Sequence, residues 1–162
     1  MHSERHFESS QFDVGNPEMD RDHHELAQLI EKVGSVCACL RSRCPVDDGD
    51  ECPDGKAEAC FGALGEIGHE IMVRMIEHFH HEDDLMKTLQ NSQSSRQHCI
   101  AHRQEHVNFS TRYNQLVTSF KPIDPLTGMR DLDSFITDWV RSHILEFDSK
   151  LAGLLKAQSS SR

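Results

Sequence analysis

Apolar residues recur along this chain at steps of three and four, and the longest such run reads Phe61, Leu64, Gly68, Ile71, Met75, His78, Glu82, Leu85, Leu89. That period is the seam of a bundle helix, expected over residues 56–90. Three more seams follow the same rule. The first is His23, Leu26, Ile30, Val33, Cys37, Leu40, in a helix that begins with Asn16 as cap and Pro17 as first residue and runs to residue 42. Another is Cys99, His102, His106, Phe109, Tyr113, Leu116, Phe120, set off from its predecessor by a polar turn, Asn91-Ser92-Gln93-Ser94-Ser95. The last is Leu132, Ile136, Trp139, His143, in a helix over residues 129–156, ahead of which Pro122, Pro125 and Gly128 break the pattern. Four amphipathic helices with three connections predict an all-α fold, an antiparallel up-down-up-down four-helix bundle. Residues 1–15 lack periodicity and read as an irregular arm, with Phe7, Phe12 and Val14 able to pack on the bundle. One domain over residues 1–157 results, and residues 158–162 read as a disordered tail.

Polar residues at the centre of an apolar stripe are the informative exceptions. His78 and Glu82 stand four apart and share one face of their helix. Burying them alone is costly, whereas a metal ion with further ligands would satisfy both. The other seams carry the same kind of exception: His23, then His102 and His106, then His143 with Asp148 beyond it. In an up-down-up-down bundle, the start of the first and third helices meets the end of the second and fourth. All of these residues then fall at one level. Five nitrogen donors and two carboxylates exceed what one ion takes, so two ions sharing bridging carboxylates fit better.

His143 and Asp148 are five apart, about 140° around an ideal helix. The apolar stripe slips there too, resuming as Asp148, Leu151, Leu155. A one-residue π-bulge between them is the expectation.

Charge and cysteine content narrow the rest. Lys and Arg total 17 against 27 Asp and Glu, a net charge of -10, which argues against nucleic acid. No apolar run approaches the length needed to span a bilayer, and the N-terminus lacks the apolar core of a secretory signal, so a cytoplasmic setting is expected. Five of the six cysteines, Cys37, Cys39, Cys44, Cys52 and Cys60, crowd near one loop, and Cys99 lies apart. Their spacing lacks the paired knuckles of a zinc site, and none sits at the level of the candidate ligands. The acidic residues of that loop (Asp47, Asp48, Asp50, Glu51, Asp54) do not follow the order of a calcium loop and read as solvated.

The fragments Gly15…Asp20-x-x-His23-x-x-Leu26, His78-Phe79-x-x-Glu82-x-x-Leu85-Met86, His102-x-x-Glu105-His106-x-x-Phe109 and Trp139-x-x-x-His143-Ile144-x-x-x-Asp148 together resemble the hemerythrin family, in wording nearest its prokaryotic members. The resemblance spans residues 12–155. It implies two iron ions. His102, His106 and His143 would hold one, and His23 and His78 the other. Glu82 and Asp148 would bridge them with an oxide or hydroxide, and the second iron would keep an open position for dioxygen. Leu26, Phe79, Trp139 and Ile144 match residues that line the family's oxygen pocket. The chain departs from the family in its Ser-rich turn before the third helix, and in a ladder of His98, His102 and His106 at equal spacing. The unbroken seam from Cys99, with the matches at Glu105 and Phe109, selects His102 and His106 and sets His98 beside the seam.

Two classes of function remain. One is a binding protein, not an enzyme, that takes up dioxygen reversibly for storage, delivery or sensing. The other is a di-iron enzyme: a peroxidase, ferroxidase or nitric oxide reductase. Five imidazoles with two carboxylates favour the first, since carboxylate-dominated bundle sites built on Glu-x-x-His push dioxygen toward cleavage. A role as the sensor module of a signalling system stays open.

Overall fold

The computed structural model describes residues 9–43, 57–89, 92–121 and 123–160. A 3-10 turn (Ser9–Phe12) leads into α1 (Pro17–Arg43), followed by α2 (Ala57–Thr88), α3 (Gln93–Ser119) and α4 (Pro125–His143). A π-helical stretch (Ile144–Asp148) joins α4 to α5 (Ser149–Ser160), and these three segments form the fourth rod. The predicted bulge is therefore present where the stripe slips.

Capping chemistry starts each described helix where a cap is resolved. Asn16 Oδ1 accepts from the amides of Glu18 (3.0 Å) and Met19 (3.2 Å), just as Pro17 opens α1. Ser92 caps α3 by accepting from Ser95 N at 3.1 Å. The fourth rod begins earlier than expected. Asp124 accepts from Thr127 N at 3.1 Å and Pro125 is the first helical residue, so this proline starts the helix instead of holding it off. Gly128 lies inside that helix because the packing there is close: a Cβ would meet Leu64 and Phe120 at 3.0 Å. The chain end differs as well. Residues 158–160 remain helical, and Gln158 Nε2 donates to the Thr88 carbonyl at 3.0 Å, which supplies the anchor a free tail would lack.

Neighbouring helices run in opposite directions. Asp22, Glu25 and Lys32 of α1 meet His81, Arg74 and Glu70 of α2, so rising numbers face falling ones. Asp83, Phe79 and Gly68 of α2 likewise meet Arg103, His106 and Tyr113 of α3. Phe135, His143 and Phe147 meet Phe109, His106 and His98.

The apolar core is split. A large cluster includes Leu26, Ile30, Val33, Leu64, Ile71, Met75, Phe109, Leu132 and Ile136. A small one holds Met19, Met86, Leu151 and Ala152, flanked by Leu85, Leu89, Cys99 and Leu155. Between them, in sequence on every helix, come the buried polar residues. Phe12 of the arm is buried in the large cluster and Val14 packs against both. Cys99 is a half-buried free thiol. The side chains of Cys37, Cys39, Leu40 and Cys60 lie outside the described residues, as do Phe7, Cys44, Cys52 and the acidic loop.

Candidate metal centre

His23, His78, Glu82, His102, His106, His143 and Asp148 converge in one layer, and none is more than 7 % exposed. They come from α1, α2, α3, α4 and the π-helical stretch. All five imidazoles turn Nε2 inward. Asp148 is shared between two sets: Oδ2 faces His23 (3.0 Å) and His78 (3.8 Å), and Oδ1 faces His102 (3.2 Å) and His143 (3.1 Å). Glu82 Oε2 reaches His106 (3.1 Å), His102 (3.3 Å), His78 (3.4 Å) and His143 (3.7 Å). The tightest ligand groups are Glu82 with His102, His106 and His143, and His78 with Glu82, His143 and Asp148. The first reproduces the three-imidazole set implied by the family resemblance. The second holds His78 but draws on His143, while His23 approaches through Asp148 alone.

Hydrogen-bond chemistry shows that these residues fit a cation. His23 Nδ1 donates to the Phe12 carbonyl at 2.7 Å, which can only accept. In the tautomer with its single proton on Nδ1, His23 turns the Nε2 lone pair toward a carboxylate oxygen. A cation between two such acceptors satisfies both. His102 and His143 also meet nitrogen to nitrogen, at 2.9 Å. Both oxygens of Glu82 are buried without a donor. Such a set is expensive when left unpaired and is satisfied by metal ligation.

Electrostatics point the same way. Burial raises the Asp148 carboxyl, but His143, His102 and His23 outweigh it and hold the group well below the usual carboxylate range. Glu82 goes well above that range, from burial first and then from the charge of Asp148. Burial and neighbouring imidazoles push His106 down to about 2. Burial likewise pushes His143 down to about 4, against the opposing pull of Asp148. Neutral imidazoles beside an ionised carboxylate are the forms a metal binds.

Of the four residues matched to an oxygen pocket, two aromatic ones stack directly on this layer. Phe79 stacks on His106 with centroids 3.9 Å apart, and Trp139 stacks on His143 at 4.2 Å. Phe79 and Trp139 meet edge to face at 5.7 Å. Leu26 and Ile144 are buried in the same apolar cluster. Leu26 and His78 also line a cleft of about 280 Å³ between α1 and α2.

One placement differs from expectation. The buried stripe of α3 is Ser95, His98, His102, His106, Phe109, Tyr113, so His98 takes the inner position and Cys99 the flank. Steps of three and four both end at His102, and the partner opposite decides between them. Phe147 stacks over His98, with centroids 6.5 Å apart. Two other outer contacts carried no signal along a single helix. Asp22 accepts from His81 Nδ1 at 2.6 Å and lies 3.9 Å from His78 Nδ1, a link that depends on α1 pairing with α2. Phe147, which stacks on His143 at 5.4 Å, depends on the direction set by the π-helical stretch.

No curated protein and no solved structure was found to match the chain. Among the described residues, no helix is long and apolar enough to cross a membrane. The family model for the hemerythrin HHE cation-binding domain matches residues 14–155, which takes in the arm's end, all four rods and every residue of the polar layer. By that match the chain belongs to the hemerythrin family.

Proposed function

We propose that this protein is a non-haem di-iron protein that binds dioxygen reversibly, for storage, delivery or sensing. The observation that carries the reading is the enclosed donor layer: five Nε2 atoms around two carboxylates, walled by Leu26, Phe79, Trp139 and Ile144. In the division of ligands that the family implies, His102, His106 and His143 serve one ion and His23 and His78 the other. Glu82 and Asp148 would be shared between the two, and the ion held by two imidazoles would have room for a further ligand. A pair of iron ions held there would supply reversible electron exchange with dioxygen.

The chain's own residues set the outcome. Imidazoles outnumber carboxylates, which leaves the site less electron-rich than carboxylate-dominated bundles and disfavours cleavage of the O–O bond. Leu26, Phe79 and Ile144 offer no proton donor, and their packing excludes water from the layer. The Phe12 carbonyl holds His23 in the tautomer that turns Nε2 inward.

The test is a spectrum. Protein reconstituted with Fe(II) under argon should be nearly colourless, gain a visible band in air, and lose it when the gas is returned to argon. Irreversible oxidation at first contact with air, or continuous oxygen consumption with a reductant, would replace this reading with the enzyme one.

A further inference from the structure

His98 belongs to neither the donor layer nor its apolar wall, yet it is 3 % exposed. Its Nε2 stands 3.4 Å from His102 Nδ1, the outer nitrogen of a candidate ligand whose Nε2 faces Glu82 and Asp148. Phe147 fixes this arrangement from the fourth rod. It stacks over His98 at an interplanar angle of 27°, over His143 at 16°, and leans on His102 with centroids 5.5 Å apart.

Resting on the di-iron reading above, we propose that His98 is a positioning residue for His102: its Nε2 accepts the Nδ1 proton of His102 and so directs the His102 lone pair at the metal. A ligating imidazole has one outer N–H, and the group that receives it fixes both tautomer and ring orientation. For His23 that group is a backbone carbonyl. For His102 it is a second imidazole, one helical turn earlier. The Ser-rich turn contributes as well, because Ser92 caps α3 early enough to place His98 inside the helix, opposite Phe147.

Two substitutions separate the hydrogen bond from the packing. His98→Phe fills the space with no acceptor, and His98→Gln returns an oxygen to about the position of Nε2. Iron-loaded wild type and variants are mixed with a bipyridyl-type Fe(II) chelator under argon, and release is followed by absorbance. His98→Phe should lose one of its ions 10- to 100-fold faster than wild type, the usual effect of removing an outer partner, and His98→Gln should stay close to wild type. In zinc-loaded wild-type protein, which is suitable for NMR, the His102 Nδ1 proton should be a slowly exchanging downfield resonance, kept in His98→Gln and lost in His98→Phe. Equal release from wild type and His98→Phe overturns the proposal, as does equally fast release from both variants, which would mean packing alone. A wild-type spectrum without that proton overturns it independently of any variant. Wild type that takes up no metal overturns the di-iron reading itself, and the role of His98 falls with it.

Discussion

His143 and Asp148 are five residues apart, yet His143 Nε2 lies 3.1 Å from Asp148 Oδ1. An α-helix would turn the two about 140° away from each other. The π-helical stretch Ile144–Asp148 widens one turn and returns the acid to the inner face, a device found often at functional sites. Asp148 is thus the only acid of the layer with imidazoles from both sets on its two oxygens. Asp148→Asn keeps the volume and removes the charge, and on the di-iron reading should lower the metal content per chain below that of wild type, with helicity preserved. Elemental analysis showing two ions in the variant would deny Asp148 a bridging role.

Acid should destabilise the chelator-stripped protein over a defined window. His143 is held at about 4 when folded and returns to about 6.5 on unfolding. The unfolded chain therefore binds the extra proton, and the stability present above pH 6.5 is lost as pH falls toward 4. The span from 6.5 to 4 corresponds to about 3 kcal/mol from this residue alone. His106 acts in the same direction. Asp148, lowered from 3.8, extends the loss below pH 4. Glu82, raised well above the usual carboxylate range, acts in the opposite direction. In Glu82→Gln, where that opposition is removed, thermal midpoints by circular dichroism should drop through this window, and a flat profile would contradict the buried neutral imidazoles.

Leu26→Ala and Ile144→Ala should each speed the spontaneous oxidation of iron-loaded protein in air while leaving two ions bound. Both side chains are buried, and if they wall the layer as proposed, truncating them admits water and protons. Each should also cost about 2–5 kcal/mol of stability, the usual range for opening a cavity. Oxidation no faster than in wild type would remove these residues from the pocket.

The arm should matter more than its length suggests. Asp20 Oδ1 accepts from Val14 N at 2.7 Å, and two residues earlier Phe12 offers its carbonyl to His23. Gly15, at φ 81°, makes the turn between them, in a region that costs other residues about 1–2 kcal/mol. Gly15→Ala should therefore lower stability by roughly that amount and loosen the metal by freeing His23. A chelator-release assay in which Gly15→Ala matches wild type would show that the carbonyl contact is dispensable.

What the sequence reveals follows from the range of each interaction. A histidine and a glutamate four apart on an apolar stripe, as on α2, declare themselves, because burial on one helix face is decided by neighbours one turn away. The same holds for the slip between His143 and Asp148. The inner place of His98 was not legible, since Cys99 satisfies the helical spacing equally well. Only Phe147, on the fourth rod and within the π-helical stretch, breaks the tie. The Asp22–His81 contact was hidden for a similar reason: it joins residues 59 positions apart. Pro125 was ambiguous locally, since a proline can end one helix or begin the next, and Asp124 as cap resolves it.

The division of the core into unequal apolar clusters bears on cooperativity. Met19, Met86, Leu151 and Ala152 form the smaller cluster, and the polar layer separates it from the rest. Four buried side chains are too few to hold three helix ends and an arm by themselves. Cations held in the layer would stitch the two clusters into one unfolding unit, because the candidate ligands taken together come from every rod. With the layer empty, the unpartnered acceptors at its centre would loosen that joint. Amides around Met19, Met86 and Leu151 should then exchange with solvent well before those around Val33, Ile71 and Leu132. Metal held in the layer would thus set where the cooperative boundary of this domain lies.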